Sequence, residues 1–121
     1  MKSEFDTLKF EIAKLKFHNS CLLYLIGELR DNKKLKSPTM QEVCVLFDLS
    51  NDDLKIILKN IQSFDGDLDK FRDDTLNELN GHISTDGLFF IIKGIKNSTS
   101  GKIKKACKSL LKHHKKLSKK P

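Results

Sequence analysis

Between Glu4 and Arg30 apolar residues recur at alternating spacings of three and four. Numbered in sevens from Phe5, the a positions are Phe5, Ile12, Asn19 and Ile26, and the d positions are Leu8, Leu15, Leu22 and Leu29. A continuous a/d seam of this length predicts one long helix able to pair with another. Glu4 and Glu11 fall at g and Lys9 and Lys16 at e, so in a parallel pair each glutamate faces a lysine of the partner. Asn19 is polar within the seam, and a buried amide at an a position favours two in-register strands. Phe10, Phe17 and Tyr24 repeat at f, so the far side of the helix also needs cover. Two readings follow. The helix pairs with its twin as a homodimer and carries its own domain on the other side, or it is one amphipathic helix of a monomeric bundle.

Downstream, Asp31–Lys36 reads as a polar linker, and Ser37-Pro38-Thr39 opens a second helix with Ser37 or Thr39 as N-cap and Thr39-x-x-Glu42 as a capping box. Met40, Val43, Cys44 and Phe47 make its apolar face. Ser50 caps the next helix with Asp53 at N3, and Leu54, Ile57, Leu58 and Ile61 continue the stripe. After Ser63-Phe64-Asp65-Gly66, a helix over Asp67–Asn80 turns Leu68, Phe71, Leu76 and Leu79 inward. Gly81 ends it as a left-handed cap. His82-Ile83-Ser84 then reads as a short strand, Asp86-Gly87 as a hairpin turn and Leu88–Ile92 as the returning strand. A short apolar run has no diagnostic period, so a buried helix over Leu88–Ile95 is the alternative. The last helix spans about Ser100–Leu117, with Ile103, Ala106, Cys107, Leu110, Leu111, His114 and Leu117 on one face. That face is expected to pack on the first helix, and Ser118–Pro121 is expected to fray.

The helix pair over residues 39–62 resembles a helix-turn-helix, with Val43, Cys44, Phe47, Leu49, Leu54 and Ile57 at its apolar positions and Asp48 where its turn glycine stands. Leu76–Ile95 is similar to the end of a winged-helix domain: helix, glycine, strand, turn, apolar strand and a Lys93-Gly94 pair, with Ile92 where a threonine commonly precedes that pair. The resemblance covers roughly residues 39–97. It implies a mainly α fold with a small β-hairpin wing, in which residues 1–32 form the coiled-coil-like helix, 37–97 the winged-helix core and 100–118 a basic helix of one domain.

Charge sharpens this picture. The chain of 121 residues carries a net +7. Residues 1–80 have a net −3, whereas 81–121 carry 11 lysines against Asp86 alone, a net +10. A basic block of this kind suits an anionic partner or serves as a solubilising tail. The winged-helix resemblance therefore implies a dimeric regulator of transcription bound to double-stranded DNA. Its contacts would come from Lys55, Lys59 and Asn60 on the second helix of the pair, Lys70 and Asn77 on the third, His82, Ser84 and Thr85 in the wing, and Lys93, Lys96, Lys102, Lys105 and the other C-terminal lysines beyond it. The competing expectation is a non-enzymatic protein-interaction module in which the lysines give solubility. Asp52, Asp53, Asp73 and Asp74 favour it, because carboxylates repel phosphate.

No stretch supports other chemistry. Asp65, Asp67 and Asp69 begin like a calcium loop, but Lys70 takes the glycine position and Leu76 that of the bidentate glutamate. Gly94–Lys102 lacks phosphate-loop spacing, and Asn97-Ser98-Thr99 is a sequon only by composition. The four histidines have no metal-ligand spacing, and no nucleophile context is present, so neither a cofactor nor an enzymatic activity is expected. Cys21, Cys44 and Cys107 are too far apart for a C-x-x-C and read as buried thiols. The N-terminus has no apolar signal region, and no apolar run, Leu88–Ile92 included, approaches the length of a membrane span, so a cytoplasmic protein without a membrane partner is expected.

Overall fold

Short polar signals set where the helices begin. The Ser3 hydroxyl accepts from the Asp6 N–H at 3.1 Å at the start of α1, Glu4–Arg30. Thr39 and Glu42 form a reciprocal capping box on α2, Met40–Leu46, and Ser50 and Asp53 form another on α3, Asn51–Gln62. The Asp67 carboxylate accepts from the Lys70 N–H and starts α4, Leu68–Glu78. The computed structural model describes the backbone of residues 3–30 and 38–118, and the side chains of 3–27 and 38–115. The linker at 31–36, Ser37, the Leu29 and Leu117 side chains and the tail at 119–121 lie outside the described residues.

The wing is absent. Residues that read as a hairpin form α5, Thr85–Ser98, and no strand occurs among the described residues. Ser84 is its N-cap, its hydroxyl accepting from the Gly87 N–H at 3.0 Å, and Asp86 sits in the first turn, where a negative charge suits the helix dipole. Gly87 is not among the positive-φ glycines, so Asp86-Gly87 does not make the turn its composition suggests. Instead Gly87 gives close packing: a Cβ there would meet Phe47 Cε1 at 3.0 Å. Leu88, Ile91, Ile92 and Ile95 then follow the i, i+3, i+4, i+7 rule of one helix face and are completely buried.

Helix α5 is central. It packs on α2 and on α6, Gly101–Ser118, while α3 packs on α4 and α6. The core joins Val43, Cys44, Leu49, Ile57 and Ile61 to the α5 residues and to Cys107 and Leu110 of α6. Thr75, absent from the expected core, is also completely buried, and its hydroxyl accepts from Asn60 Nδ2 at 2.9 Å. Leu76 is only half-buried. The left-handed residue that closes α4 is Asn80, φ 59°, one position before the glycine expected there; Gly81, φ 71°, follows it and donates its N–H to the Leu76 carbonyl. The α2–α3 turn places Asp48 at φ 54°, the conformation that a glycine supplies most cheaply.

Helix α1 meets the rest of the domain chiefly through α2, not through α6. Cys21 is buried, Phe17 packs on the core, and the Cys21 and Cys44 thiols are within hydrogen-bonding reach. His18 Nε2 lies 2.7 Å from the Leu49 carbonyl oxygen, and Lys14 Nζ 2.9 Å from Asp48 Oδ2. Of the three f-position aromatics, Phe17 is the one set into the core, because α2 is too short to cover Phe10 and Tyr24 as well. The apolar face of α6 is satisfied by α5 and α3, which leaves α1 at the edge.

Candidate nucleic-acid interface

The sequence-derived contact residues do not converge on one surface. Lys55 and Lys59 are exposed on α3. Asn60 is half-buried and occupied, its Nδ2 donating to Thr75 Oγ1 at 2.9 Å and to Glu78 Oε1 at 3.2 Å, which ties α3 to α4. Lys70 and Asn77 are exposed on α4 with Asp73 and Asp74 beside them. Asp69 and Asp73 also hold Arg72, at 3.1 and 3.0 Å. His82 is exposed before α5, Ser84 is engaged as its N-cap, and Thr85 is half-buried in its first turn. Without a wing these three have no common direction toward a groove. Lys93 is exposed on α5, whereas Lys96 is half-buried in its last turn, near the Cys107 thiol.

Lys102 and Lys105 do belong to a basic surface, shared with other lysines of the C-terminal helix. On α6, Lys105, Lys108, Lys112 and Lys115 are all exposed. Their i, i+3, i+7, i+10 spacing sets them within about 80° of helix arc and along about 15 Å of axis. The buried residues Cys107 and Leu110 occupy the opposite side, and Ile103 and Leu111 pack beside them. Among the described residues Lys105, Lys108 and Lys112 make no ion pair. Helical phase on the lysines alone would have found this stripe.

Two histidines anchor that helix to the domain. His114 stacks on Phe89, with ring centroids 3.9 Å apart and planes 4° from parallel. His113 meets the Phe64 ring edge-on at 5.9 Å, and its Nδ1 lies 2.7 Å from the Ser109 carbonyl oxygen. These contacts fix the rotation of α6 and therefore the direction of the lysines.

The thiols are structural. Burial pushes Cys44 up to about 12 and Cys107 up to about 11, and it raises Cys21 as well. None is a nucleophile at neutral pH. Among the described residues no three His, Cys, Asp or Glu side chains could hold a metal ion. A hollow of about 200 Å³ lies between the end of α3 and α4 and is lined by Asp65, Asp67 and Asp74 together with Lys70 and Phe71. No described helix is long and apolar enough to cross a membrane. Comparison with known protein families, curated proteins and solved structures finds no match for this chain.

Proposed function

We propose that this is a non-enzymatic protein that binds double-stranded DNA through the lysine face of α6. The carrying observation is the exposed stripe Lys105, Lys108, Lys112 and Lys115, three of whose members make no ion pair among the described residues. A row of exposed ammonium groups on a rigid helix gains by displacing counterions from a phosphate backbone. Such contacts hold and orient a duplex but carry no sequence information. Lys55 and Lys59, one helical turn apart on α3, are the exposed donors for base edges if the protein is a regulator that reads a site.

Charge reversal tests this. Lys105→Glu, Lys108→Glu and Lys112→Glu together are expected to abolish retention of a random-sequence duplex in low salt while leaving thermal stability in place. Unchanged retention by a folded variant contradicts the reading.

A specific observation favours a second reading, in which the domain docks a protein. The α4 surface that a reading head would present to DNA carries Asp69, Asp73, Asp74 and Glu78, all exposed. Loss of duplex binding at every salt concentration would leave that reading.

A further inference from the structure

The seam of α1 is left uncovered by its own chain. Phe5, Leu8, Ile12, Leu15, Leu22 and Ile26 are between 43% and 64% exposed, and Asn19 is exposed among them. The residues that α1 gives to the domain are Lys14, Phe17, His18 and Cys21. They lie about a third of a helical turn away from the seam, so the two faces are served independently. Residues 3–13 are exposed throughout, and a helical segment of that length is marginal in water without packing. An apolar row of this extent marks an interaction surface.

We infer that α1 pairs with α1 of a second copy of this chain as a parallel, in-register, two-stranded coiled coil. Charge order selects this occupant and this direction. In the parallel arrangement Glu4 faces Lys9 of the second copy and Glu11 faces its Lys16, twice over by symmetry. In the antiparallel arrangement Glu4 comes opposite Leu25 and Glu11 opposite His18 at the other end, and no lysine faces either glutamate. The two Asn19 amides meet at the centre, where they satisfy each other and penalise any register that separates them. Leu23, 68% exposed, falls at e against His18 of the second copy, whose ring the Leu49 carbonyl holds in place. This pairing stands on α1 alone and does not depend on DNA binding.

Sedimentation equilibrium of the full chain and a charge-swap pair test it. The unaltered protein is expected to be a dimer, and Leu15→Lys with Leu22→Lys a monomer. One variant carries Glu4→Lys and Glu11→Lys, the other Lys9→Glu and Lys16→Glu. Each alone is expected to dimerise at least about ten-fold more weakly, since four symmetry-related ion pairs become repulsive, and their mixture is expected to form a heterodimer with the affinity restored. These four positions are exposed, but Glu11 also pairs with Lys14 at 3.5 Å, so the melting temperature of each variant is measured beside its association, and the restored affinity of the mixture is the reading of pairing. A monomeric unaltered protein at high concentration overturns the inference. So do swap variants that dimerise as well alone as mixed, which is the antiparallel result.

Discussion

A Cβ on Gly94 would stand 2.8 Å from the carbonyl oxygen of Thr39. The same carbon would meet Val43 Cγ1 at 2.8 Å, so α5 crosses α2 at a point where only a hydrogen atom fits. The Lys93-Gly94 pair is therefore a helix-crossing device and not the exit from a wing. Nearby ties lock the crossing: the Met40 N–H donates to Ser98 Oγ at 2.8 Å, and Asn97 Nδ2 donates to the Pro38 carbonyl oxygen at 2.8 Å.

Gly94→Ala is accordingly expected to destabilise the domain. Forcing a methyl group against a backbone oxygen costs about 1–3 kcal/mol, more than the roughly 0.5–1 kcal/mol that alanine gains in a helix. Gly27→Ala in α1 is the control, because nothing lies within 4 Å of its added carbon. Urea denaturation should show the midpoint falling for the first and holding or rising for the second. A rise in both would mean that the close crossing is not there.

Asn60 separates structure from binding. As a DNA contact, its loss would weaken duplex affinity. As the partner of Thr75 and Glu78, its loss should instead reduce stability by about 1–2 kcal/mol, because a buried hydroxyl loses its donor. Asn60→Ala is expected to lower the melting temperature and to leave the affinity for DNA unchanged when measured well below melting.

The thiols predict an alkaline limit on stability. Cys44 titrates at about 12 and Cys107 at about 11 in the folded chain, against an ordinary value of 9.0. Between those values the unfolded chain has lost protons that the folded chain keeps, so stability falls as pH rises. This contribution is whole below pH 9 and is lost progressively toward 11 and 12. Denaturation midpoints at pH 8, 9.5 and 10.5 should decline, and Cys44→Ala should flatten the decline even though it starts less stable. Alkylation of the native protein at pH 8 should be slow at all three buried cysteines.

Helix starts were the most legible part of the fold. Thr39 and Ser50 each cap the helix read from them, because a cap is a local hydrogen bond between near neighbours, and Asp67, read as the first residue of its helix, is its cap. The misreading of α5 has a physical cause. Asp86-Gly87 has turn composition, and Leu88–Ile92, taken alone, is an apolar run too short to show a period; the helical period appears only over the whole of α5, where Lys93, Lys96 and Asn97 mark the other side. What decided the structure was the Ser84 cap and the spacing of Leu88, Ile91, Ile92 and Ile95, and both were visible in the residues. The partner of α6 was not legible. A stripe such as Ile103, Cys107 and Leu110 states that a face is buried but not against which helix. The basic site was legible as composition and only partly as geometry, since Lys108 and Lys112 join Lys105 through helical phase.

The most direct measurement is a titration of random-sequence duplex DNA with the intact protein between about 50 and 200 mM salt. Four lysines on phosphates give a log–log slope of about −3.6 per bound chain. Removing three with Lys105→Ala, Lys108→Ala and Lys112→Ala should reduce it by about 3. That pair of slopes is the result expected if α6 is the phosphate-binding surface. No binding at 50 mM salt, or a slope that the three substitutions leave untouched, would contradict it.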